Sequence, residues 1–264
     1  MQVEDLPLVP DEFRHDYAGL CWWCGARADS REHKWKKSEV VRLFGTGSYG
    51  DSVQWVHSHG VEAVRGPKAA ALMFSPTLCG NCNGTRSQPF DDAYALFSNY
   101  LIDHHDDLLA AQSLDFADVY GEAMPVQLPL LARYYAKHIG CRIAEKAGRV
   151  PDDLVEFLDL ARNTVPSVFS QLGVRLVLLD FVDENGARVM GLSLRGSVAD
   201  YDPVPGGGLR SFKSGLGVGA IEFVFDVNLD PDRPNAGSGI FEDSVQVLWP
   251  HGEDLYSLQM MVKR

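Results

Sequence analysis

The chain has 264 residues, 45% hydrophobic and 23% charged, which is enough apolar material for one large or two modest domains with a real core. No stretch approaches the roughly 18–20 apolar residues of a membrane span, and the acidic, proline-broken opening "MQVEDLPLVPDEF" is unlike a secretory signal, so a cytoplasmic protein with no membrane partner is expected. A formal net charge of −12 argues against a nucleic-acid coat protein, but the acidity is uneven: residues 11–90 carry 10 Lys/Arg against 8 Asp/Glu, and residues 91–264 carry 14 against 26.

In chain order, the first third is organised by cysteine. The five cysteines are Cys21, Cys24, Cys79, Cys82 and Cys141, and four of them form two C-x-x-C pairs, "CWWC" and "CGNC". A cytosolic chain of this size does not need disulfides. Two C-x-x-C turns, each presenting both sulfurs to one side, instead enclose one tetrahedral zinc. Residues 17–90 therefore read as a zinc-bound module, with Gly25 suiting a tight turn behind the first pair. The insert between the pairs reads as loops and short elements, and "GTGSYGD" at 45–51 is its clearest turn. Its densest basic run is "REHKWKKSEVVR" at 31–42.

A helix is predicted to begin between Asn83 and Pro89 and to run through "FDDAYALFSNYLIDHHDDLLAAQ". Tyr94, Phe97, Leu101 and Leu108 recur there at helical spacing, and Asp91 and Asp92 suit its first turns through the helix dipole. "VQLPLLARYYAKHIGCRIAEKAG" at 126–148 predicts a second helix, in which Cys141 reads as a small buried apolar residue. "PDDLVEFLDLARN" at 151–163 predicts a third, with Pro151 at its first position. Beyond Pro166 the pattern turns to strands: "VRLVLLDFVD", "ARVMGLSLRG", "GAIEFVFDVN", "DSVQVLWP" and "LYSLQMMVK". Asn185-Gly186 is a hairpin signal between the first two. The glycine-rich "PVPGGGLRSFKSGLGVGA" holds no phosphate-cradling motif and is read as a flexible loop.

Glu32-His33 lies between the pairs, eight residues after Cys24, and Asn83 follows Cys82 directly. A hard divalent ion prefers oxygen ligands, which a carboxylate and an amide supply. Phosphodiester hydrolysis needs a base for water and a cation for developing charge. Side chains alternate along a strand, so Glu32 and His33 would point in different directions. The set Cys21, Cys24, Glu32, His33, Cys79, Cys82 and Asn83 resembles the HNH, or ββα-metal, endonucleases, and is most similar to the phage endonuclease VII type. The resemblance covers about residues 17–100. It implies that His33 is the general base, that Glu32 and Asn83 hold a catalytic Mg²⁺ or Mn²⁺, and that cleavage leaves 5′-phosphate ends. The cysteine-bound Zn²⁺ would be structural, bracing the Glu32-His33 hairpin against the helix that begins at Asn83. Many such sequences have Asp before the base, His where Asn83 stands, and an Asn shortly before the second pair. This chain reads "MFSPTLC" there, with Ser75 and Thr77 as the available polar substitutes.

DNA is the partner implied. Lys34, Lys36, Lys37 and Arg86 are candidate phosphate contacts, with Arg65 and Lys68 beside them. Trp35 is weighed between packing and stacking on a base, and Trp22 and Trp23 are read as packing. His57 and His59 alternate as strand residues do, and no role is assigned to His104 or His105. The expected fold class is α+β, with an N-terminal zinc-braced ββα-metal nuclease module (1–100), a helical region (101–165) and a mainly antiparallel β-rich domain (166–264). The last region is a candidate surface for a partner protein or signal ligand, and a homodimer is open because single-site nucleases often cut both strands as two copies. The competing reading is a non-enzymatic zinc-binding interaction module, which would need the four cysteines but not Glu32, His33 or Asn83.

Overall fold

A 22-residue helix, Met124–Glu145, organises the molecule in the computed structural model. The model describes residues 9, 11–57, 60–162, 165–166, 168–176, 193–201, 211–229, 245–247 and 258–263. In chain order the helices are α1 (Lys37–Phe44), α2 (Gly80–Asn83), α3 (Gln88–Asp103), α4 (His105–Ala111), α5 (Phe116–Tyr120), α6 (Met124–Glu145) and α7 (Asp152–Phe157). The strands are β1 (Val53–His57), β2 (Gly60–Ala63), β3 (Ser113–Asp115), β4 (Phe169–Leu176), β5 (Leu194–Tyr201), β6 (Ser211–Val218), β7 (Ile221–Asn228), β8 (Val245–Val247) and β9 (Leu258–Lys263). The fold is a mixture of helices and antiparallel sheets, the α+β class expected. Among the described residues no helix is long and apolar enough to cross a membrane.

Every residue of α6 from Leu131 to Ile143 is buried, as for a helix packed on all sides. Tyr134 stacks on Tyr94 of α3 at 3.7 Å between ring centres, and Tyr135 stacks on Phe223 of β7 at 3.6 Å. Phe97 of α3 meets the same Phe223 edge-on. Gly140 lies against the Trp22 ring, where an added Cβ would stand 2.5 Å from a ring carbon. One helix thus contacts the first cysteine turn, the helix after the second, and the sheet.

The larger sheet has seven strands in the order β2-β1-β9-β5-β6-β7-β4, every neighbouring pair antiparallel. The β1–β2 hairpin comes from the insert between the cysteine pairs, yet β1 pairs with β9 near the C-terminus. A smaller sheet joins β3 to β8.

Tyr94, Phe97, Leu101 and Leu108 are all buried as their spacing predicts, although the single predicted helix is broken at His104 into α3 and α4. The third helix stops at Phe157, short of its expected end, and Arg133 accounts for the stop. Its guanidinium takes the carbonyls of Phe157, Asp159 and Arg162, so those oxygens bond to a side chain from α6. The glycine-rich segment is corrected in part. Residues 203–210 lie outside the described residues, but 211–218 form β6 near the middle of the sheet. Phe212, Ser214, Leu216 and Val218 alternate along it, and Gly217 fits where a Cβ would lie 2.5 Å from the Ile221 carbonyl. The Asn185-Gly186 hairpin and His59 lie outside the described residues, and His57 ends β1.

Candidate metal centre and active site

The first cysteine turn is closed by Gly25, whose φ of 74° is the left-handed backbone that glycine adopts freely. Its N–H donates to the Cys21 carbonyl at 2.8 Å, and the Cys21 N–H donates to Ala26 at 2.6 Å. The second turn is the start of α2. There the Cys79 sulfur accepts the Cys82 N–H at 3.4 Å, as an N-cap side chain does. The four Sγ atoms of Cys21, Cys24, Cys79 and Cys82 lie within 4.8 Å of one another, and all four cysteines are free. A zinc about 2.3 Å from each sulfur sets tetrahedral sulfurs about 3.8 Å apart, and the Cys24 and Cys79 sulfurs are 3.6 Å apart. The group can hold a metal ion such as zinc. Burial pushes the Cys21 and Cys82 thiols up, while the Cys82 N–H pulls Cys79 down. A bound cation would displace the remaining protons.

Between these turns two extended segments run antiparallel. Ser30 bridges Leu78 and His33 bridges Met73. The Phe74 N–H donates to the Glu32 carbonyl at 2.9 Å, and the Lys34 N–H donates to Leu72 at 2.8 Å. Alternation sends Ser30 and Glu32 to one face and His33 to the other. On the first face, Asn83 Nδ2 donates to Ser30 Oγ at 2.9 Å, and Asn83 Oδ1 is buried with no hydrogen-bond partner among the described residues. Glu32, one same-face step along, points at Lys137 of α6.

Lys137 Nζ donates to Glu32 Oε2 at 3.0 Å, Asp91 Oδ1 at 3.2 Å and Ser87 Oγ at 3.3 Å. The lysine side chain is wholly buried, while Glu32 and Asp91 keep 11% and 18% exposure. Burial alone would pull the ammonium down, but the two carboxylates outweigh it and hold it above the ordinary lysine value. Lys36 reaches the same corner, donating to the Asp91 backbone carbonyl. On the opposite face, His33 Nε2 is buried without a hydrogen-bond partner among the described residues. Burial pulls the His33 pKa below 6.5 against the opposing pull of Glu32 and the Pro67 carbonyl, so the ring is neutral at physiological pH.

The basic candidates occupy varied settings. Lys37 is exposed at the start of α1. Lys34 is half-buried, its Nζ 5.4 Å from the Trp55 ring centre and 5.9 Å from that of Phe74. Arg86 is exposed, but its guanidinium lies 4.4 Å over Trp23 and Nη1 donates to Cys82 Sγ at 3.5 Å, against the metal centre. Trp35 is buried and meets Trp55 edge-on, so it packs. Trp22 and Trp23 stack on each other, and Trp23 also on Phe90. Cys141 is buried as expected, and burial pushes its thiol up to about 12. Ser75 is exposed and its N–H bonds Glu145, whereas Thr77 is half-buried. Sequence reasoning missed Lys137 and Ser87 and took Asp91 only for a helix-dipole residue. A lone lysine within "LPLLARYYAKHIGC" was the available signal, since a cation in an apolar run needs a buried partner.

No family model, curated protein or solved structure matches this chain.

Proposed function

We infer that the chain is a metal-dependent endonuclease of the ββα-metal kind, hydrolysing phosphodiester bonds in DNA. Two buried atoms carry this conclusion, set apart from other such atoms by lying on the proposed base and ligand: among the described residues His33 Nε2 and Asn83 Oδ1 have no hydrogen-bond partner. A buried polar atom left unpaired costs about 1–3 kcal/mol, and such atoms call for an explanation. Here both belong to the residues that the HNH resemblance makes functional. The antiparallel bridges Ser30–Leu78 and His33–Met73, with α1, β1 and β2 inserted between their two segments and α2 and α3 following, support a ββα reading of this region.

His33 is a neutral imidazole with an unpartnered nitrogen, the state a general base needs to take a proton from water. Asn83 Oδ1 and the second oxygen of Glu32 are the oxygen donors for Mg²⁺ or Mn²⁺. When bound, that ion supplies positive charge against the phosphate and the departing 3′ oxygen. Ser30 Oγ takes Asn83 Nδ2, so Oδ1 is the amide atom available to a cation. Zn²⁺ on the four cysteines braces α2, and thereby Asn83, against the Glu32-His33 segment. Lys37, Arg65, Lys68 and Arg86 are the basic candidates exposed at the surface.

One observation favours the non-enzymatic reading: Lys137 already satisfies Glu32 Oε2. Incubation of the zinc-loaded chain with supercoiled plasmid decides between the two. A nuclease nicks with Mn²⁺ or Mg²⁺, stops in EDTA, and loses at least the roughly 10- to 100-fold typical of outer partners on Asn83→Ala, because a direct ligand is removed. Absence of nicking with either ion would select the interaction module.

A further inference from the structure

We propose that Lys137, contributed by α6 from outside the cysteine-braced segment, is a positioning residue of the nuclease site, presenting Glu32 Oε1 to the divalent ion. This rests on the nuclease reading above and adds the helical region to the site itself.

Lys137 is wholly buried, so it cannot reach a phosphate and must act through what it holds. It holds three oxygens, at 3.0, 3.2 and 3.3 Å, which fixes the ammonium and, in return, the carboxylates. It takes one oxygen from each acid. Asp91 Oδ2 lies 3.4 Å from Ser87 Oγ, whereas Glu32 Oε1 has no hydrogen bond among the described residues. Glu32 is therefore held by one oxygen with the other left over, as a ligating carboxylate is when an outer partner orients it. Lys36 adds a second ammonium beside Asp91, so two ammoniums balance two carboxylates here, and what Glu32 offers a cation is the oxygen left over rather than an excess of charge.

The next residue of α6 completes the grip. His138 Nε2 lies 3.1 Å from the Lys34 carbonyl, and burial keeps that ring neutral, so it donates to this oxygen through Nε2–H. Consecutive residues of α6 thus secure Glu32 and Lys34, the two neighbours of His33. The tripeptide that carries the base and a metal ligand is set by a helix more than a hundred residues away in sequence.

The test compares the full-length, zinc-loaded wild type with Lys137→Met, Lys137→Gln and the double variant Lys137→Met/Asp91→Asn. Lys137→Met strands two carboxylates and is expected to fold poorly. The double variant restores the wild-type net charge of the cluster without restoring the tether, and Lys137→Gln keeps a neutral donor toward Glu32. Thermal unfolding reports the fold, Mn²⁺ binding is read by electron paramagnetic resonance, and plasmid nicking gives the Mn²⁺ concentration for half-maximal rate. The double variant is expected to recover a cooperative transition while needing roughly 10- to 100-fold more Mn²⁺ for both binding and nicking, with Lys137→Gln in between. If the double variant or Lys137→Gln folds and matches the wild-type Mn²⁺ requirement in the presence of normal wild-type nicking, Lys137 is only a counter-charge and the proposal falls alone. A wild type that neither binds Mn²⁺ nor nicks overturns the proposal together with the nuclease reading.

Discussion

Glu39 shows how a buried carboxylate can be handled with no ion pair to it among the described residues. It is 2% exposed, and its Oε2 accepts the Lys36 N–H at 3.1 Å, closing the start of α1. Burial pushes its carboxyl from 4.5 up to about 7, against the pull of the neighbouring Tyr94 and Ser98 hydroxyls. The folded state therefore keeps this proton over a range where the unfolded chain has lost it. Stability from Glu39 is complete below about pH 4.5 and falls as pH rises toward 7, by about 3 kcal/mol in all. Glu39→Gln should remove that slope: denaturant unfolding at pH 5 and pH 8 should show the variant gaining on the wild type at the higher pH. A difference that is the same at both would place the carboxyl pKa near its ordinary value. Lys137 takes the other course, neutralising buried acids with a buried base. Neither solution could be read from sequence, because partners such as Glu32 and Lys137 are 105 positions apart.

At the scale of elements, local signals were legible and long-range ones were not. Each C-x-x-C turn is closed within a few residues by its own backbone bonds, so the metal centre could be read from spacing. The buried face of α3 could be read from Tyr94, Phe97 and Leu101. β6 could not, because Gly217, which in sequence signals flexibility, answers the close approach of Ile221 and Glu222. The β1–β2 hairpin was unreadable for a related reason: β1 gains a second partner only from β9. Two predictions belong here. A glycine-to-alanine change inside an exposed helix is worth up to about 1 kcal/mol of stability, but Gly140→Ala drives a methyl into Trp22, which is itself pinned by Trp23. It should destabilise by about 1–3 kcal/mol in urea unfolding, and a stabilised variant would mean that the Trp22 ring yields. Elemental analysis should find roughly one zinc per chain in the wild type and none in Cys82→Ala. The variant should also forfeit much of a metal-binding energy on the order of 10 kcal/mol, lowering the Tm. Full zinc content in that variant would contradict the four-sulfur centre.

At the scale of the whole molecule, the segment around the four cysteines, the helices and the sheet share one hydrophobic core that runs from Cys21 to Leu229. α6 is the common wall: Gly140 meets the first cysteine turn, Lys137 and His138 hold the residues beside His33, and Tyr135 seats the sheet. A fragment ending after α3 would expose Trp22, Phe74 and Tyr94 where α6 now covers them. Such a fragment should show no cooperative thermal transition by circular dichroism even with zinc, and a sharp one would show that α6 is dispensable. The acidity of residues 91–264 fits this division of labour, since a net-negative remainder is a poor surface for DNA. The central claim, that His33 is the base of a nuclease, is tested most directly by the initial rate of plasmid nicking with Mn²⁺ between pH 5 and pH 8, for wild type beside His33→Ala. Because burial holds His33 below 6.5, the wild-type rate should rise with pH, level off below that value, and exceed the variant's by roughly 10²- to 10⁴-fold. No nicking by wild type, or the same profile from His33→Ala, would contradict it.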